Sequence, residues 1–452
     1  MTPLPLSGVR ILDAGHAWAL PYAITPLAMY GAEVLKVEST VRPDMSRGSP
    51  QPENRVVGDS WNHGGSYHEM NRNKLGVTLD LTTPRGKEIY RELVSISDVV
   101  AQNFPPRVMR NFGLDYPNLR KIRPDIIVLD STAYGSTGPW QNYIGYGSSL
   151  QAVTGLTYVT GYEGEEPIQG GILFNDVLAA LAATYAILLA LAHREVTGEG
   201  QWIDLSQYEL GVTHLGEAFM EYAMNGRVPT RRGNSHPHFA PYGVYPCADE
   251  DAWVAITVTS DGEWLNFRDA VGEEWAYDPV FETVIGRLRH RKRLDALLAQ
   301  WTRPQDHHTV MHRLQAAGVA CGAVLNAREL VTDPHLRDRG FFTIMEHPAP
   351  VGRRPHLGPL FRLLGVQRPP DRPAPSLGQH NGLVLRDLLG VTPEEYRALE
   401  EAGVIGEAPV KLSVAQPASA AELLRLGFIA EHDTQYRERL GLGADAAQEE
   451  RG

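Results

Sequence analysis

The chain has 452 residues, of which 43% are hydrophobic and 21% are charged, and its formal net charge is −12. This length allows two or three domains with a sizeable core, and the composition excludes a wholly disordered chain. The acidic balance argues against nucleic acid or an anionic membrane as a partner, because both require basic surfaces.

The first third of the sequence alternates strand-like and helix-like segments. The predicted strands are Val9–Ala14, Ala32–Glu38, Gly76–Leu81, Asp98–Phe104 and Ile126–Asp130. The predicted helices are Pro21–Tyr30, Arg85–Ser97 and Pro106–Arg120. Such alternation predicts βαβ units and a mostly parallel α/β sheet, in which ligands bind beyond the carboxyl ends of the strands.

The remainder of the chain predicts a second, smaller domain. A long helix near Val177–Ala192 and a strand at Gln201–Leu205 precede a polar linker at 226–233. An α+β domain is expected at 235–340, from strands within Ala240–Val258 and at Ala320–Leu325 and from helices at Asp261–Ala270 and Arg291–Thr302. We also expect a helix at Ala418–Leu426 and a frayed tail from Ala444.

The composition indicates a cytoplasmic protein. Two isolated cysteines, Cys247 and Cys321, provide neither a disulfide framework nor a zinc site, and the N-terminus shows no signal-peptide pattern. The longest uncharged run, Val177–Ala192, is shorter than the roughly 20 residues of a membrane span. We therefore expect a buried helix there and no membrane partner.

Several standard cofactor and metal motifs are missing from the sequence. The turn Ala14–Pro21 lacks the glycines of a dinucleotide site, and there is neither a P-loop nor a GxSxG elbow. His308 and His312 lie four residues apart without the glutamate of a metalloprotease helix, and His236-Pro-His238 is typical of a loop. The sequence predicts no metal site and no tightly bound cofactor.

Asp176 is a lone carboxylate before an apolar segment that has no further charge until His193. It has two interpretations, a helix N-cap and a nucleophile, and spacing alone favours the cap. The roles are compatible, because a helix N-terminus favours negative charge and would keep the carboxyl group ionised at neutral pH. The amides of the same turn could also stabilise an oxyanion.

Nine segments, in order, resemble class III CoA-transferases, the group that includes formyl-CoA, carnitine and benzylsuccinate CoA-transferases. The alpha-methylacyl-CoA racemases share that fold. The segments are LSGVRILDAGHAWALPYA, GAEVLKVE, NRNKLGVTLDL, VAQNFPPRVMRNFGLDY, AYGSTGPW, HREVTGEGQWIDLSQYE, GVYPCADEDAWVAI, DPHLRDRGFF and LGQHNGLVLRDLLG.

The resemblance implies a fold and an assembly. It implies an α/β architecture with a Rossmann-like large CoA-binding domain, formed by 1–225 and completed by a return segment at 341–405. The small α+β domain at 235–340 is inserted between them. Two subunits would thread through each other as an interlocked homodimer. Residues 406–452 form a C-terminal extension without a counterpart in the resemblance.

The resemblance also implies an activity. CoA would pass, as a co-substrate, from an acyl-CoA donor to a carboxylic acid acceptor. Asp176 would be the catalytic nucleophile, through a mixed anhydride and an aspartyl-CoA thioester. The donor is expected to carry an apolar or aromatic acyl group, or a dicarboxylate as in succinyl-CoA.

Binding residues follow from the same resemblance. The implied CoA contacts are Ala17, Trp18, Ala19, Arg72, Lys74, Asn103 and Phe104, with Arg107 or Arg110 at a phosphate. The expected substrate pocket contains Leu20, Tyr22, Tyr146 and His238, with Trp18 and Tyr67 as further aromatic candidates. Each aromatic side chain could equally belong to the core, and each cation could be a solvated surface charge.

Three departures from the family pattern bear on the choice of reaction. Leu20 stands where the family often has glycine, and Asn111 where it often has arginine, which leaves the CoA contacts at these positions open. The segment from Asn234 to Phe239 is not glycine-rich, which argues against a formyl-CoA/oxalate enzyme.

Two alternative functions stay open. A racemase needs two acid/base groups, and the segment Gly145-Tyr146-Gly147 contains neither the histidine nor the aspartate that such racemases carry there. A catalytically degenerate CoA-binding protein is the third hypothesis, and the presence of Asp176 weighs against it.

Overall fold

The computed structural model describes residues 3–411 and 414–443. The chain divides into two compact units. Of these described residues, unit 1 draws on those within 3–156, 170–216, 331–411 and 414–443, and unit 2 on residues 157–169 and 217–330. The tail from Ala444, for which fraying was predicted, lies outside the described residues.

Unit 1 is built on a parallel sheet of six strands, which confirms the prediction of a mostly parallel α/β sheet. The strand order is β3-β2-β1-β4-β5-β6, so the order reverses between β1 and β4, as it does in doubly wound nucleotide-binding folds. The strands are β1 (Arg10–Asp13), β2 (Glu33–Glu38), β3 (Leu75–Thr78), β4 (Val99–Gln102), β5 (Ile127–Thr132) and β6 (Trp202–Ser206).

Helices connect these strands and continue through the chain. The predicted single helix at Pro106–Arg120 is two helices, because Gly113 adopts a left-handed conformation (φ 66°) that ends the first of them. The α-helices are α1 (Ala19–Met29), α2 (Gly65–Met70), α3 (Pro84–Ser95), α4 (Pro106–Phe112), α5 (Tyr116–Ile122), α6 (Gly147–Val153), α7 (Leu156–Val159), α8 (Phe174–Thr197), α9 (Gln207–Val212), α10 (Gly216–Asn225), α11 (Asp261–Val271), α12 (Val284–Arg289), α13 (Arg291–Thr302), α14 (His307–Ala316), α15 (Ala327–Thr332), α16 (Pro334–Asp338), α17 (Pro393–Glu401), α18 (Ala420–Arg425) and α19 (Tyr436–Arg439).

Helix α8 packs along α1 in the core of unit 1. Small side chains such as Ala180 and Ala183 are buried there, and Thr184 Oγ1 donates to the Ala23 carbonyl at 2.7 Å. Among the described residues, α8 is the one helix long and apolar enough to cross a membrane, by length and composition only. Core helices of globular proteins pass the same test. The prediction of a buried helix is confirmed in part, because the alanine face of α8 is buried whereas Tyr185 and Leu189 are exposed.

The chain returns to the β3 edge of the sheet after leaving unit 2. His380 Nδ1 accepts from the Gly76 backbone N–H at 3.0 Å, and Asn381 Oδ1 accepts from Thr78 at 2.8 Å. Val384 and Leu399 share a hydrophobic cluster with the β3 side chains. A short antiparallel pair, β10 (Thr343–Glu346) and β11 (Arg353–His356), also belongs to unit 1.

Unit 2 contains an antiparallel sheet in the order β7-β8-β9, formed by Tyr242–Pro246, Trp253–Thr257 and Ala320–Val324. Its core holds large aromatic side chains, including Trp264, Phe267 and Phe281. The sequence placed 157–169 in the large domain, but these residues group with unit 2. Arg231 accounts for this, because it donates to the carbonyls of Tyr158 and Glu165 at 2.9 and 2.8 Å.

Candidate active site

The loops after β1 and β4 meet where the strand order reverses. The His16 backbone N–H donates to Asn103 Oδ1 at 2.9 Å, and Asn103 Nδ2 donates back to the His16 carbonyl at 2.8 Å. The His16 ring packs against Phe104 with centroids 5.1 Å apart. The structure therefore brings Ala17 and Trp18 next to Asn103 and Phe104, at the crevice where open α/β sheets bind ligands.

Buried charges hold the first of these loops in shape. Lys36 Nζ contacts the Gly15 carbonyl and lies 3.1 Å from Asp44 Oδ2. The other Asp44 oxygen accepts from the Ala17 N–H at 3.0 Å, and Ala17 has a φ of 67°, which is rare for alanine. Burial raises the pKa of Asp44, but Lys36, His16 and the Ser46 N–H together outweigh this effect, so that the pKa of Asp44 lies below its usual value.

A second buried pair continues this network. Arg47 forms two hydrogen bonds to Glu38, at 2.8 and 2.6 Å, and its guanidinium stacks on Tyr67. Sequence reasoning missed these supports, although Lys36 and Glu38, two of the three charged residues in the segment AEVLKVE, were a usable signal. Tyr67 is buried and its hydroxyl donates to Glu38 at 2.8 Å, so its prediction as a pocket residue is wrong.

Two of the four predicted CoA-binding cations are committed to protein partners. Lys74 Nζ is buried and bonds Asp13 Oδ2 at 2.8 Å, the Pro21 carbonyl at 2.9 Å and Asn71 Oδ1 at 3.0 Å. An ammonium group has three donors, so this set uses all of them. Arg72 is also buried and donates to Glu69 at 2.7 Å and to the Leu357 carbonyl at 2.6 Å.

The other two cations have exposed side chains on α4. Arg107 donates to the Asn142 carbonyl at 2.9 Å, and Arg110 lies in the last turn of the helix. Ala19, the third predicted residue of the loop after β1, begins α1 and is buried. Trp18 stacks on the half-buried ring of Tyr22, with centroids 4.9 Å apart.

Asp176 is the third residue of α8, and Leu173 is the N-cap. Its carboxylate makes no capping hydrogen bond, so the interpretation of Asp176 as a helix cap is wrong. The N–H groups of Phe174 and Asp176 already donate to the carbonyls of Ile172 and Leu173, each at 3.0 Å. Those two amides are therefore not available to an oxyanion.

The environment of Asp176 changes its acidity. Asp176 is only 8% exposed, and burial raises the pKa of its carboxyl group to about 6. The expected helix-terminus effect is thus outweighed by desolvation, although the group is still mostly ionised at neutral pH. No cation among the described residues offsets this desolvation. A desolvated carboxylate of this kind is more basic and more nucleophilic than a solvated one.

Helix α6 supplies the neighbour of this carboxylate. Gly147, the first residue of α6, is buried against Asp176, and a Cβ at this position would overlap Asp176 Oδ2. Tyr146 precedes it as the α6 N-cap and is 61% exposed. The structure therefore joins the predicted residues Asp176 and Tyr146 through Gly147, which sequence reasoning did not select.

Leu20 and His238 were also predicted to line the substrate pocket. Leu20 is fully buried in the hydrophobic core beside α8, so its side chain does not line an accessible pocket, and that prediction is wrong. A leucine at the start of α1 packs where the helix faces the sheet. His238 belongs to unit 2, where its backbone N–H donates to His236 Nδ1 at 3.1 Å.

Comparisons with known proteins show the family of the chain. The sequence profile of CoA-transferase family III matches residues 6–381. The chain is 34% identical over 407 residues to succinyl-CoA–D-citramalate CoA-transferase of Chloroflexus aurantiacus, covering 89% of this chain and 98% of that protein. It is 31% identical to succinate–glutarate CoA-transferase of Agrobacterium fabrum, covering 85% and 96% of the two chains.

A solved structure agrees with these relatives. A CAIB/BAIF family protein from Brucella suis superposes with a TM-score of 0.77 at 30% identity, covering 86% of this chain and all of that one. The profile match spans most of this sequence, and the alignments cover nearly the whole length of the named relatives. The chain therefore belongs to CoA-transferase family III and is a CoA-transferase.

Proposed function

We propose that the protein transfers CoA from an acyl-CoA donor to a carboxylic acid through covalent intermediates on Asp176. The observation that carries this proposal is the Asp176 carboxylate itself. It is buried, its pKa is raised to about 6, and it has no helix-capping role that would account for its position. A carboxylate in such a place is suited to nucleophilic attack.

The proposed steps exchange one activated acyl bond for another. An Asp176 oxygen attacks the thioester carbonyl, and CoA leaves as the thiolate, which gives a mixed anhydride. The thiolate then attacks the Asp176 acyl carbon, which releases the donor carboxylate and leaves an aspartyl-CoA thioester. The acceptor carboxylate attacks this thioester and expels CoA as the thiolate, which gives a second anhydride. The thiolate then attacks the acceptor acyl carbon, which forms the product acyl-CoA and regenerates the Asp176 carboxylate. Each step exchanges one activated acyl bond for another, so no ATP is needed.

We propose succinyl-CoA as a donor and a dicarboxylic acid as the acceptor. Support comes from the relatives, two of which are named for succinyl-CoA or succinate together with D-citramalate or glutarate. The match covers nearly the whole length of these relatives, which argues for the same class of reaction. The identity of the acceptor is to be measured.

The CoA contacts are proposed at the crevice between β1 and β4. The loops that carry Ala17, Trp18 and Ala19, and Asn103 with Phe104, would hold the nucleotide part of CoA. Arg107 and Arg110 have exposed guanidinium groups that could reach phosphates. Arg72 and Lys74 would act indirectly by fixing the surrounding loops, because their donors bind protein groups.

We also propose an interlocked homodimer with unit 2 as an inserted domain. Large apolar side chains on one side of α8 are exposed in the single chain, among them Leu181, Tyr185 and Leu189. Phe219 and Met224 on α10 are exposed in the same way. Apolar faces of this kind mark protein interfaces, and sedimentation equilibrium should show a dimer with no folded monomer at micromolar concentration.

The experiment that tests the function is a trapping assay. The protein would be incubated with succinyl-CoA, treated with hydroxylamine, and digested for mass spectrometry. A hydroxamate on Asp176, absent in Asp176→Asn, is the expected result. An adduct on another residue, or CoA transfer by Asp176→Asn at the wild-type rate, would overturn the assignment. Deuterium exchange at the alpha carbon without CoA transfer would support the racemase hypothesis instead.

A further inference from the structure

Unit 2 contains a cluster of metal-ligating side chains that CoA transfer does not use. His307 and His308 are the first two residues of α14, and their rings meet edge to face with centroids 4.5 Å apart. Glu329 on α15 faces both rings. Its Oε1 lies 2.9 Å from His307 Nε2 and 3.6 Å from His308 Nε2. Among the described residues, this is the one group of three or more such ligands with mutually close donor atoms.

We infer that His307, His308 and Glu329 bind a divalent transition-metal ion of the Zn²⁺ class. Two imidazoles and one carboxylate are a common zinc ligand set, with bonds of about 2.0–2.2 Å. Tetrahedral donors at that range lie roughly 3.3 Å apart. The two observed nitrogen–oxygen separations, 2.9 and 3.6 Å, lie on either side of that value.

The surrounding structure orients the ligands before any ion binds. Glu329 Oε2 accepts from the Asn326 N–H at 2.9 Å, while Asn326 Oδ1 accepts from the Glu329 N–H at 3.0 Å. This reciprocal pair is a capping box, which turns Oε1 toward the histidines. Asp306 caps α14 by accepting from the Thr309 N–H at 2.8 Å, so both ring-bearing residues are held in the first turn. Such positioning is typical of metal ligands.

The sequence alone suggested a different pair of histidines as possible metal ligands. His308 and His312 share the spacing of a helical metal motif, yet the structure pairs His308 with its neighbour and with a carboxylate on another helix. His312 therefore serves as a matched control, since it is a further histidine on α14. The inference goes beyond CoA transfer and does not depend on the role of Asp176.

The test uses the full-length protein, stripped of metal with EDTA and titrated with ZnCl₂ by calorimetry and against a chromophoric chelator. We expect one equivalent per chain, at least about tenfold weaker binding for His308→Ala and for Glu329→Gln, and unchanged binding for His312→Ala. Glutamine can keep the capping-box contact, so Glu329→Gln should fold as the wild type does, which circular dichroism checks.

Two results would overturn the inference. The first is no stoichiometric zinc binding by the wild-type protein, which would leave the cluster as a contact between histidine and glutamate side chains. The second is equal loss of affinity in His312→Ala and His308→Ala, which would place the zinc elsewhere. Co²⁺ substitution adds an independent readout, because ligation by this cluster should give visible absorption that His308→Ala loses.

Discussion

The Asp176 carboxylate lies directly against Gly147, at the place where a side chain on residue 147 would begin. The same position is bounded by Leu173, whose Cβ and Cδ1 would lie 2.9 and 3.0 Å from that side chain. Two helices, α6 and α8, thus approach each other with only a hydrogen atom between the backbone of one and the proposed nucleophile of the other.

We predict that Gly147→Ala lowers the rate of CoA transfer by about 100-fold. The added methyl group must displace Asp176 or separate α6 from α8, and a misplacement of about 1 Å costs a factor of this size. The measurement is steady-state kinetics with succinyl-CoA and a dicarboxylic acid. Gly48→Ala is the matched control, because a Cβ at Gly48 meets no atom within 4 Å. Equal activity of the two variants would contradict the prediction.

The rate of covalent attack should depend on pH through Asp176. Burial raises the pKa of its carboxyl group to about 6, and only the ionised form is a nucleophile. We expect the single-turnover rate of adduct formation to be level above pH 7 and to fall about tenfold per pH unit below pH 6. A rate that stays level down to pH 5 would show that another group limits the reaction, or that Asp176 is not attacking.

The same burial should make the ionised form of Asp176 lower the free energy of unfolding. The folded-state pKa of about 6 exceeds the ordinary value of 3.8, so the folded protein binds the proton more tightly than the unfolded chain. Stability is therefore lost as pH rises from about 4 to 6, by up to roughly 3 kcal/mol, and is not regained above that range.

Removing this charge should stabilise the protein while abolishing catalysis. We predict that Asp176→Asn has a higher Tm than the wild type at pH 7.5, and that the difference narrows toward pH 4, where the wild-type carboxyl group is protonated. Differential scanning calorimetry at pH 7.5 and at pH 4 measures the difference in Tm between the two proteins. A lower Tm for Asp176→Asn at pH 7.5 would indicate that the charged carboxylate has a stabilising partner.

Lys74 is predicted to act in folding rather than in direct contact with CoA. Its ammonium group is buried with Asp13, and burial lowers its pKa to about 8. We expect Lys74→Met to lose about 3–5 kcal/mol of stability, because Asp13 would remain as an unpaired buried charge. The double variant Asp13→Asn, Lys74→Met should recover much of this loss in urea denaturation.

The contrary outcome for Lys74 is equally measurable. If the ammonium group contacted a phosphate of CoA, Lys74→Met would raise KM for the acyl-CoA by a large factor, and removing Asp13 as well would not restore it. Arg107→Ala and Arg110→Ala offer a comparison at exposed positions, where the KM for the acyl-CoA is expected to rise with little change in Tm.

Local sequence determined the strands and their connection, and with them the place of the crevice. The apolar runs around Ile11 and Val100 predicted two buried strands, and the helices between successive strands predicted a parallel sheet. The residues just after those strands, including Ala17 and Asn103, then had to lie at one edge of the sheet. Asp176 could be singled out from its position at the front of an apolar helix, but spacing alone favoured a cap, and its role as a nucleophile came from the family resemblance.

The partners of individual side chains were decided only by the tertiary structure. Lys74 meets Asp13 across 61 residues of sequence, and Glu329 meets His307 across two helices, and no local pattern specifies such pairs. The acidity of Asp176 likewise depends on how α6 packs beside it, since desolvation is a property of surrounding atoms and not of spacing. Hydrophobic periodicity fixes which elements form, whereas burial and charge pairing depend on which elements finally touch.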